Sequence, residues 1–313
     1  MKLVIGVMIL PLIVFFAIIY HRRSYNVKPR LIFGPIPLIN NKYWSNALRE
    51  IGFDSRTLMD GYYGTINAKD DFDLYYDSFN LFNYRHLDSF ITPYRVFLHV
   101  LRNADIVHLP FSGGFLYKTS LRWMEPFFYK LAGIKTVMIP FGSDSYMYSR
   151  VMDASLRHVL LSWLPQFGRF EEKIRKQIEF FMKHADFVIM GSMIDGMQRW
   201  DILAFNPLSV DTDEWQYVER ADNTEKNGIN KEVIIIHTPN NRGFKGTEFL
   251  IDSVNKLKQE GLRVSLLMME KRQNAEVKEA MNHVDILAEQ FIAPCYALSG
   301  IEGMAKGLPV LSN

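Results

Sequence analysis

The sequence predicts an α/β protein: two domains built on parallel sheets, preceded by an apolar N-terminal segment. Three observations predict it. Short apolar runs alternate with amphipathic helical stretches along most of the 313 residues, the order that gives parallel strands and right-handed crossovers. The alternation lapses between Asp211 and Asn230, where Asp, Glu, Asn and Lys dominate, and then restarts. Ahead of it all, Leu3 to Tyr20 contains no charge. A chain of this length suffices for two domains of roughly 100–200 residues each.

The N-terminal run predicts an uncleaved membrane anchor over residues 1–24. At 18 residues it is at the short end of a bilayer span, for which about 20 are typical. Ile18 to Arg23 reads IIYHRR and offers no small-x-small cleavage site. Arg22, Arg23, Lys28 and Arg30 follow the run, against Lys2 before it, so the positive-inside rule places the remainder on the cytoplasmic side of a single-pass protein.

In the first half, Arg30–Phe33, Asp105–Leu109, Ile134–Pro140 and Ala185–Met190 read as strands. Tyr43–Ile51 reads as a helix closing at Gly52, and Leu121–Leu131 as a second helical stretch. In Glu171–Lys183, Ile174, Ile178 and Phe181 fall on one helical face, and Glu171 with Arg175 and Glu172 with Lys176 support the other. After the linker, Glu232–His237, Arg263–Met269, Val284–Leu287 and Leu308–Leu311 read as strands. Thr247–Gln259, Ala275–Met281 and Ile301–Lys306 read as helices, with Thr247 as N-cap of its helix and Gly261 as a stop.

Composition removes several classes of function. Hydrophobic residues at 48% against 22% charged describe a globular chain. Lys and Arg total 36 against 34 for Asp and Glu, a net of +2 that argues against nucleic acid as partner. The one cysteine, Cys295, excludes an internal disulfide framework, and no His or Asp pair at ligand spacing suggests a metal site. Asp70 to Asp73 reads as a solvated loop. Of the nine aromatics between Phe72 and Phe97 part must be core, and their density predicts a surface dipping into a membrane interface.

Open parallel sheets bind ligands outside the carboxyl ends of their strands. The loops to examine are therefore Gly34-Pro35, His108–Gly114, Phe141–Asp144, Gly191–Asp195 and His237–Gly246. None carries the dinucleotide fingerprint or a P-loop, so hydride transfer with NAD and NTP hydrolysis lose ground and no cofactor is expected. The loop HTPNNRGFKG is the most informative. It leaves a strand, carries Arg242 and Lys245, and opens into a helix, an arrangement suited to a diphosphate. Of the histidines, His108 and His237 end strands, and His108 is assigned to the acceptor side.

His237–Lys256 resembles the R-x-x-K-G donor segment of family-4 retaining glycosyltransferases, which have the GT-B fold. Ile301–Val310 resembles their closing donor motif, E-x-M-A-x-G-x-P-V, through Glu302, Met304, Ala305, Gly307, Pro309 and Val310. Gly34 resembles the family's glycine loop, and Phe141-Gly142-Ser143-Asp144 its G-x-D segment. The resemblance implies that Arg242 and Lys245 hold the diphosphate of a nucleotide sugar and stabilise the leaving group. It implies that Glu302 accepts hydrogen bonds from the ribose hydroxyls, and that Gly34 and Asp144 serve substrate binding and catalysis; His108 joins the expected catalytic residues from its place at a strand end. Two positions depart from the pattern: Pro294 stands where the family commonly has a glutamate, and Phe141 where many members have histidine.

The expected organisation is an anchor at 1–24, an acceptor-side Rossmann-like domain at 25–212, a linker at 213–230 and a donor-side domain at 231–313. Family members continue beyond the position of Asn313, so that last domain is expected to be incomplete. The expected activity is metal-independent transfer of a sugar from a nucleotide-diphosphate donor to a glycan or lipid-linked acceptor at the membrane, with retention. The alternative is a GT-B-like nucleotide-binding or assembly protein without turnover.

Overall fold

The structure, a computed structural model, describes residues 2–22, 28–82, 84–142, 144–190, 197, 199–203, 208–220, 226–294 and 296–313. Ser143, Cys295 and the loop Gly191–Asp195 lie outside the described residues. Strands in chain order are β1 Leu31–Phe33, β2 Ser55–Met59, β3 Leu74–Tyr75, β4 Ile106–Leu109, β5 Lys135–Met138, β6 Phe187–Met190 and β7 Ile202–Leu203. They continue as β8 Val233–His237, β9 Val264–Met268, β10 Ile286–Gln290 and β11 Val310–Ser312. The helices are α1 Lys2–Ile19, α2 Ile39–Glu50, α3 Arg85–Asn103, α4 Glu125–Ala132, α5 Ala154–Trp163 and α6 Gln166–Arg169. After them come α7 Glu171–His184, α8 Arg242–Lys245, α9 Thr247–Gln259, α10 Asn274–Ala280 and α11 Leu298–Ala305.

Two compact units result. The first comprises residues 1–63, 68–147 and 170–207, and the second 64–67, 148–169 and 208–313. Residues 148–169, expected in the first domain, thus group with the second. There α5 packs on α8, and the Trp163 indole lies over Gly243, where an added Cβ would stand 2.4 Å from its ring nitrogen.

The first unit holds a seven-stranded sheet in the order β3-β2-β1-β4-β5-β6-β7, parallel throughout. The order reverses between β1 and β4, so their exits form the topological switch point. The core beneath is apolar and aromatic, with Val96, Phe97, Val100, Leu101, Val107, Phe111, Phe115 and Leu116 excluded from solvent. The aromatic cluster between Phe72 and Phe97 is largely this core. Phe72, Tyr75, Tyr76, Tyr94 and Phe97 are buried, which is the expected core part, and Phe82 and Tyr84 are the members of the cluster that are fully outward. The spacing of Thr92, Val96 and Val100, with Tyr94, Phe97 and Leu101, turns one side of α3 inward.

The acidic run is not freely solvated either. Asp73 accepts from the Thr57 N–H and hydroxyl at 2.8 and 2.9 Å and pairs with Arg49, while Asp71 pairs with Lys42.

The N-terminal run folds as α1 with its apolar side chains largely outward, and it packs along α3 and α4. Beyond its end, Arg22 donates to Asp105 at 2.9 Å and to the carbonyls of Tyr20, Leu101 and Arg102. Asp105 also takes Arg30. Burial pushes its carboxyl up, but the hydrogen bonds from Arg30 and Arg22 outweigh that and hold it down at about 2.

The second unit holds a four-stranded parallel sheet in the order β11-β10-β8-β9. Leu250 and Val254 of α9 cover one side with Ile235, Val264 and Ala288. Trp215, Ile236, Met281, Leu287 and Leu308 form the core on the other. Here the switch point falls between β8 and β10, and Arg242 and Lys245 follow the exit of β8.

Candidate functional site

The β8 exit is built from its last residue. His237 is shut off from solvent, with Nδ1 2.6 Å from the Ala288 carbonyl of β10 and Nε2 2.8 Å from the Thr247 hydroxyl of α9. A carbonyl only accepts, so Nδ1 carries the proton and Nε2 accepts from Thr247. Burial holds the imidazole pKa down, so the ring is a neutral strut between two strands and a helix. Thr247 is thereby not the N-cap: the position falls to Gly246, at φ 68°, and the Thr247 hydroxyl goes to the histidine.

The short helix α8 bridges this exit. Asn241 caps it by accepting the Phe244 N–H at 3.2 Å, and Gly246 closes it in the left-handed conformation. Arg242 and Lys245 are three positions apart, and the helix sends them to different carboxylates. Arg242 donates to Glu248 at 2.8 Å and to Glu270, beyond β9, at 3.2 and 3.3 Å. Lys245 turns inward and is buried, bonding Glu289 of β10 and, at 3.2 Å, the side-chain oxygen of Gln290.

Glu289 is the residue that sequence reasoning passed over. Its side chain is wholly buried, and besides Lys245 it accepts from the Ser299 hydroxyl at 2.9 Å and the Ala297 N–H at 3.2 Å. Glu289 thus ties α8 to the start of α11. Strand alternation would have placed it inward on β10, but nothing local marks its partner, 44 positions earlier.

Glu302 is also buried on α11, at 5% exposure. Burial pushes its carboxyl up to about 7, and Lys245 and Lys278 pull it back while Glu289 adds repulsion. The two residues therefore feel one another electrostatically, Lys245 from the β8 exit and Glu302 from within α11. Arg242 stands on its β9 side, half-buried and charged.

In the first unit, Gly34 leaves β1 so close to β2 that a Cβ would stand 2.1 Å from the Leu58 carbonyl oxygen. Only glycine fits that approach. His108, near the end of β4, stacks on Phe33 with ring centroids 4.2 Å apart. Desolvation holds its pKa at about 4, so it is neutral at pH 7, and its Nδ1 has no hydrogen-bond partner among the described residues. Asp144 accepts the N–H groups of Phe111 at 2.8 Å and Phe141 at 3.0 Å, tying the exits of β4 and β5 together. Burial raises its pKa to about 7 against those bonds. Glu125 does a related job. Held at about 7 by burial, it accepts from the Phe115 and Leu116 N–H groups and the Tyr129 hydroxyl, and an added Cβ at Gly114 would meet it at 2.2 Å. Among the described residues no cluster of His, Cys, Asp and Glu could hold a metal ion.

Two parallel α/β units with their polar residues at strand exits, after an apolar N-terminal helix, define a GT-B-like fold. Among solved structures, the chain is similar to an alpha-glucosyltransferase in complex with UDP and a 13-mer DNA containing a central A:G mismatch. The likeness has a TM-score of 0.52 at 14% identity and covers 91% of this chain and 79% of that one. At that identity it is a likeness of fold. Because that neighbour holds DNA, the sequence-level exclusion of nucleic acid finds no support in it. No protein-family model and no curated protein matches the chain.

Proposed function

We propose that the protein is a retaining glycosyltransferase of the family-4 type, moving a sugar from a nucleotide-diphosphate donor to a glycan or lipid-linked acceptor at a membrane, with α1 as its attachment. The observation that carries this reading is the buried Lys245 at the exit of β8, bonded to Glu289 and Gln290 of β10, where an open sheet binds its ligand, with Glu302 buried on α11. Breaking a sugar–phosphate bond leaves charge on the departing nucleotide diphosphate. Lys245 and Arg242 would stabilise that charge in the transition state, with no metal needed. Glu302, ionised, would accept the two ribose hydroxyls and fix the nucleotide relative to the cations. Gly34, His108 and Asp144 are assigned to the acceptor side. His108, being neutral, would act there through a hydrogen bond.

A second reading has its own observation. Both cations are already paired, Lys245 with Glu289 and Arg242 with Glu248 and Glu270, and Pro294 replaces the family's other glutamate. A nucleotide-binding protein without turnover would keep those pairs in the bound state. Calorimetry with UDP and a UDP-sugar on the wild type and Arg242→Ala separates the readings. A transferase site requires Arg242 to exchange its carboxylates for phosphate, so the substitution should weaken both ligands about tenfold and leave the melting temperature unchanged. Equal affinities for the two proteins would sink the assignment of Arg242. Binding of the UDP-sugar without release of UDP in the presence of membrane extract would favour the second reading.

A further inference from the structure

We propose that α1 does not cross the bilayer but lies flat against the first unit and inserts its outer face, with that of α4, into one leaflet of an anionic membrane. The inference rests on the membrane attachment proposed above and changes its geometry. An 18-residue helix is about 27 Å long, close to the roughly 30 Å of a hydrocarbon core. Were it to span, its N-terminal end would stand that far from the body of the protein. The structure holds both ends on that body. At the start, Lys2 Nζ donates to the Lys118 carbonyl at 3.2 Å, and the Ser120 hydroxyl donates to the Lys2 carbonyl at 3.0 Å.

Four residues on, Gly6 is buried at the same place. A Cβ there would stand 2.2 Å from the Ser120 hydroxyl and 3.2 Å from that of Tyr94 in α3. The middle and end of the helix are seated by Ile13 and Ala17, both fully buried. Beyond it, the Arg22 N–H donates to the Ala132 carbonyl at the end of α4, and its guanidinium is clamped at Asp105. The stretch α1 follows runs from residue 118 to residue 132, along the whole of α4. One helix stripe is therefore committed to protein, from end to end.

The opposite stripe is apolar without interruption. Leu3, Val4, Val7, Met8, Leu12, Phe15, Ile18 and Ile19 are exposed, and the mean hydropathy of the helix is 2.8. Trp123, Met124, Phe127 and Leu131 extend that surface across α4. Lipid fits this surface better than a second protein does. Protein interfaces carry about one hydrogen bond per 100–200 Å², and no outward side chain from Leu3 to Ile19 can form one. The charge pattern agrees. Neither α1 nor α4 presents a carboxylate to solvent, since α1 has none and Glu125 is buried, while Lys2 and Lys130 are exposed beside the apolar surface. Cations at the edge of an apolar face match anionic headgroups. The Trp123 ring, with the Arg122 guanidinium 4.6 Å from its centre, is suited to the interface between the two.

The experiment uses the full chain expressed in bacteria, with Cys295→Ser and Lys2→Cys, and a membrane-impermeant maleimide. The proposal expects the chain in the membrane fraction, with residue 2 labelled at least about tenfold more after lysis than in intact spheroplasts. It expects Leu12→Glu with Phe15→Glu to move the chain to the soluble fraction by at least about tenfold, with an unchanged circular dichroism spectrum. Labelling of residue 2 in intact spheroplasts would establish a spanning helix, overturning the flat geometry and leaving membrane attachment intact. A soluble dimer that the double substitution converts to monomer would make the face a protein interface. A soluble monomer would overturn the attachment as well.

Discussion

The two switch points of this chain share the same strand topology and differ in their electrostatics. At the first, between β1 and β4, the candidate groups are His108, neutral at pH 7 with its pKa at about 4, and Asp144, raised to about 7. Both are spent on packing or on backbone N–H groups. At the second, between β8 and β10, a buried lysine meets a buried glutamate, and an arginine stands half-buried beside them. Parallel sheets create a crevice wherever strand order reverses, and among the described residues it is the second one here that sets a buried lysine at the exit of its first strand. The difference teaches that the strand exits choose where a ligand goes, and the charges at them choose which ligand.

The strongest way to break the contrast is to remove Lys245. Taking away one partner of a buried pair leaves Glu289 uncompensated, so Lys245→Ala should cost about 3–5 kcal/mol of stability in denaturant melts. Lys245→Met with Glu289→Gln should recover most of that stability. It should not recover affinity for a nucleotide diphosphate, which falls ten- to a hundredfold with the charge-assisted bonds. Recovery of binding in the double variant would return the second switch point to the status of the first.

Glu302 sharpens the comparison through pH. Its folded pKa of about 7 is above its unfolded value. Its contribution to stability is therefore complete below the ordinary carboxylate range and is lost as pH rises through about 7. Ribose binding has the opposite slope, because only the ionised carboxylate accepts both hydroxyls. Affinity for a UDP-sugar, whose phosphates do not titrate here, should rise between pH 6 and 8 by up to about tenfold. Glu302→Gln should bind ten- to a hundredfold more weakly, without pH dependence and without discrimination against a 2′,3′-dideoxy analogue. If discrimination survives, Glu302 is a helix residue and nothing more.

The smallest effects belong to the first switch point. His108→Phe replaces a neutral ring stacked on Phe33 with another, and Asp144→Asn loses one acceptor for the loop it ties. Neither should change nucleotide affinity by more than about twofold, since His108 is neutral and Asp144, where ionised, is held by backbone N–H groups and offers a diphosphate no cation. A larger change in calorimetry would show that the first unit also holds the nucleotide. Loss of sugar transfer at constant affinity would place these residues on the acceptor side.

Much of the fold was legible in the sequence. The strands at β1, β4, β5 and β8 announce themselves as apolar runs, and α7 and α9 as stripes of period 3.6. β2, as Ser55–Met59, was not, because its sequence SRTLM is half polar and its inward positions include Ser55 and Thr57. Nor was α3, whose aromatics serve equally as core or as surface until a sheet lies beneath them.

By itself the sequence determined the two-unit α/β plan, the apolar N-terminal helix, the strand exits at which Gly34 and Lys245 stand, and the helix that carries Glu302. Those follow from local periodicity, from glycine's freedom and from composition, which act over a few residues. The tertiary structure decided the partners. It set Glu289 beneath Lys245 across 44 positions, sent Arg242 to Glu270, and took Thr247 from capping duty to hold His237. It also laid α1 along α4 from Lys2 to Arg22. Buried charges and polar groups must find partners wherever the packed chain supplies them, and that supply is set by the register of distant strands, which no local pattern encodes.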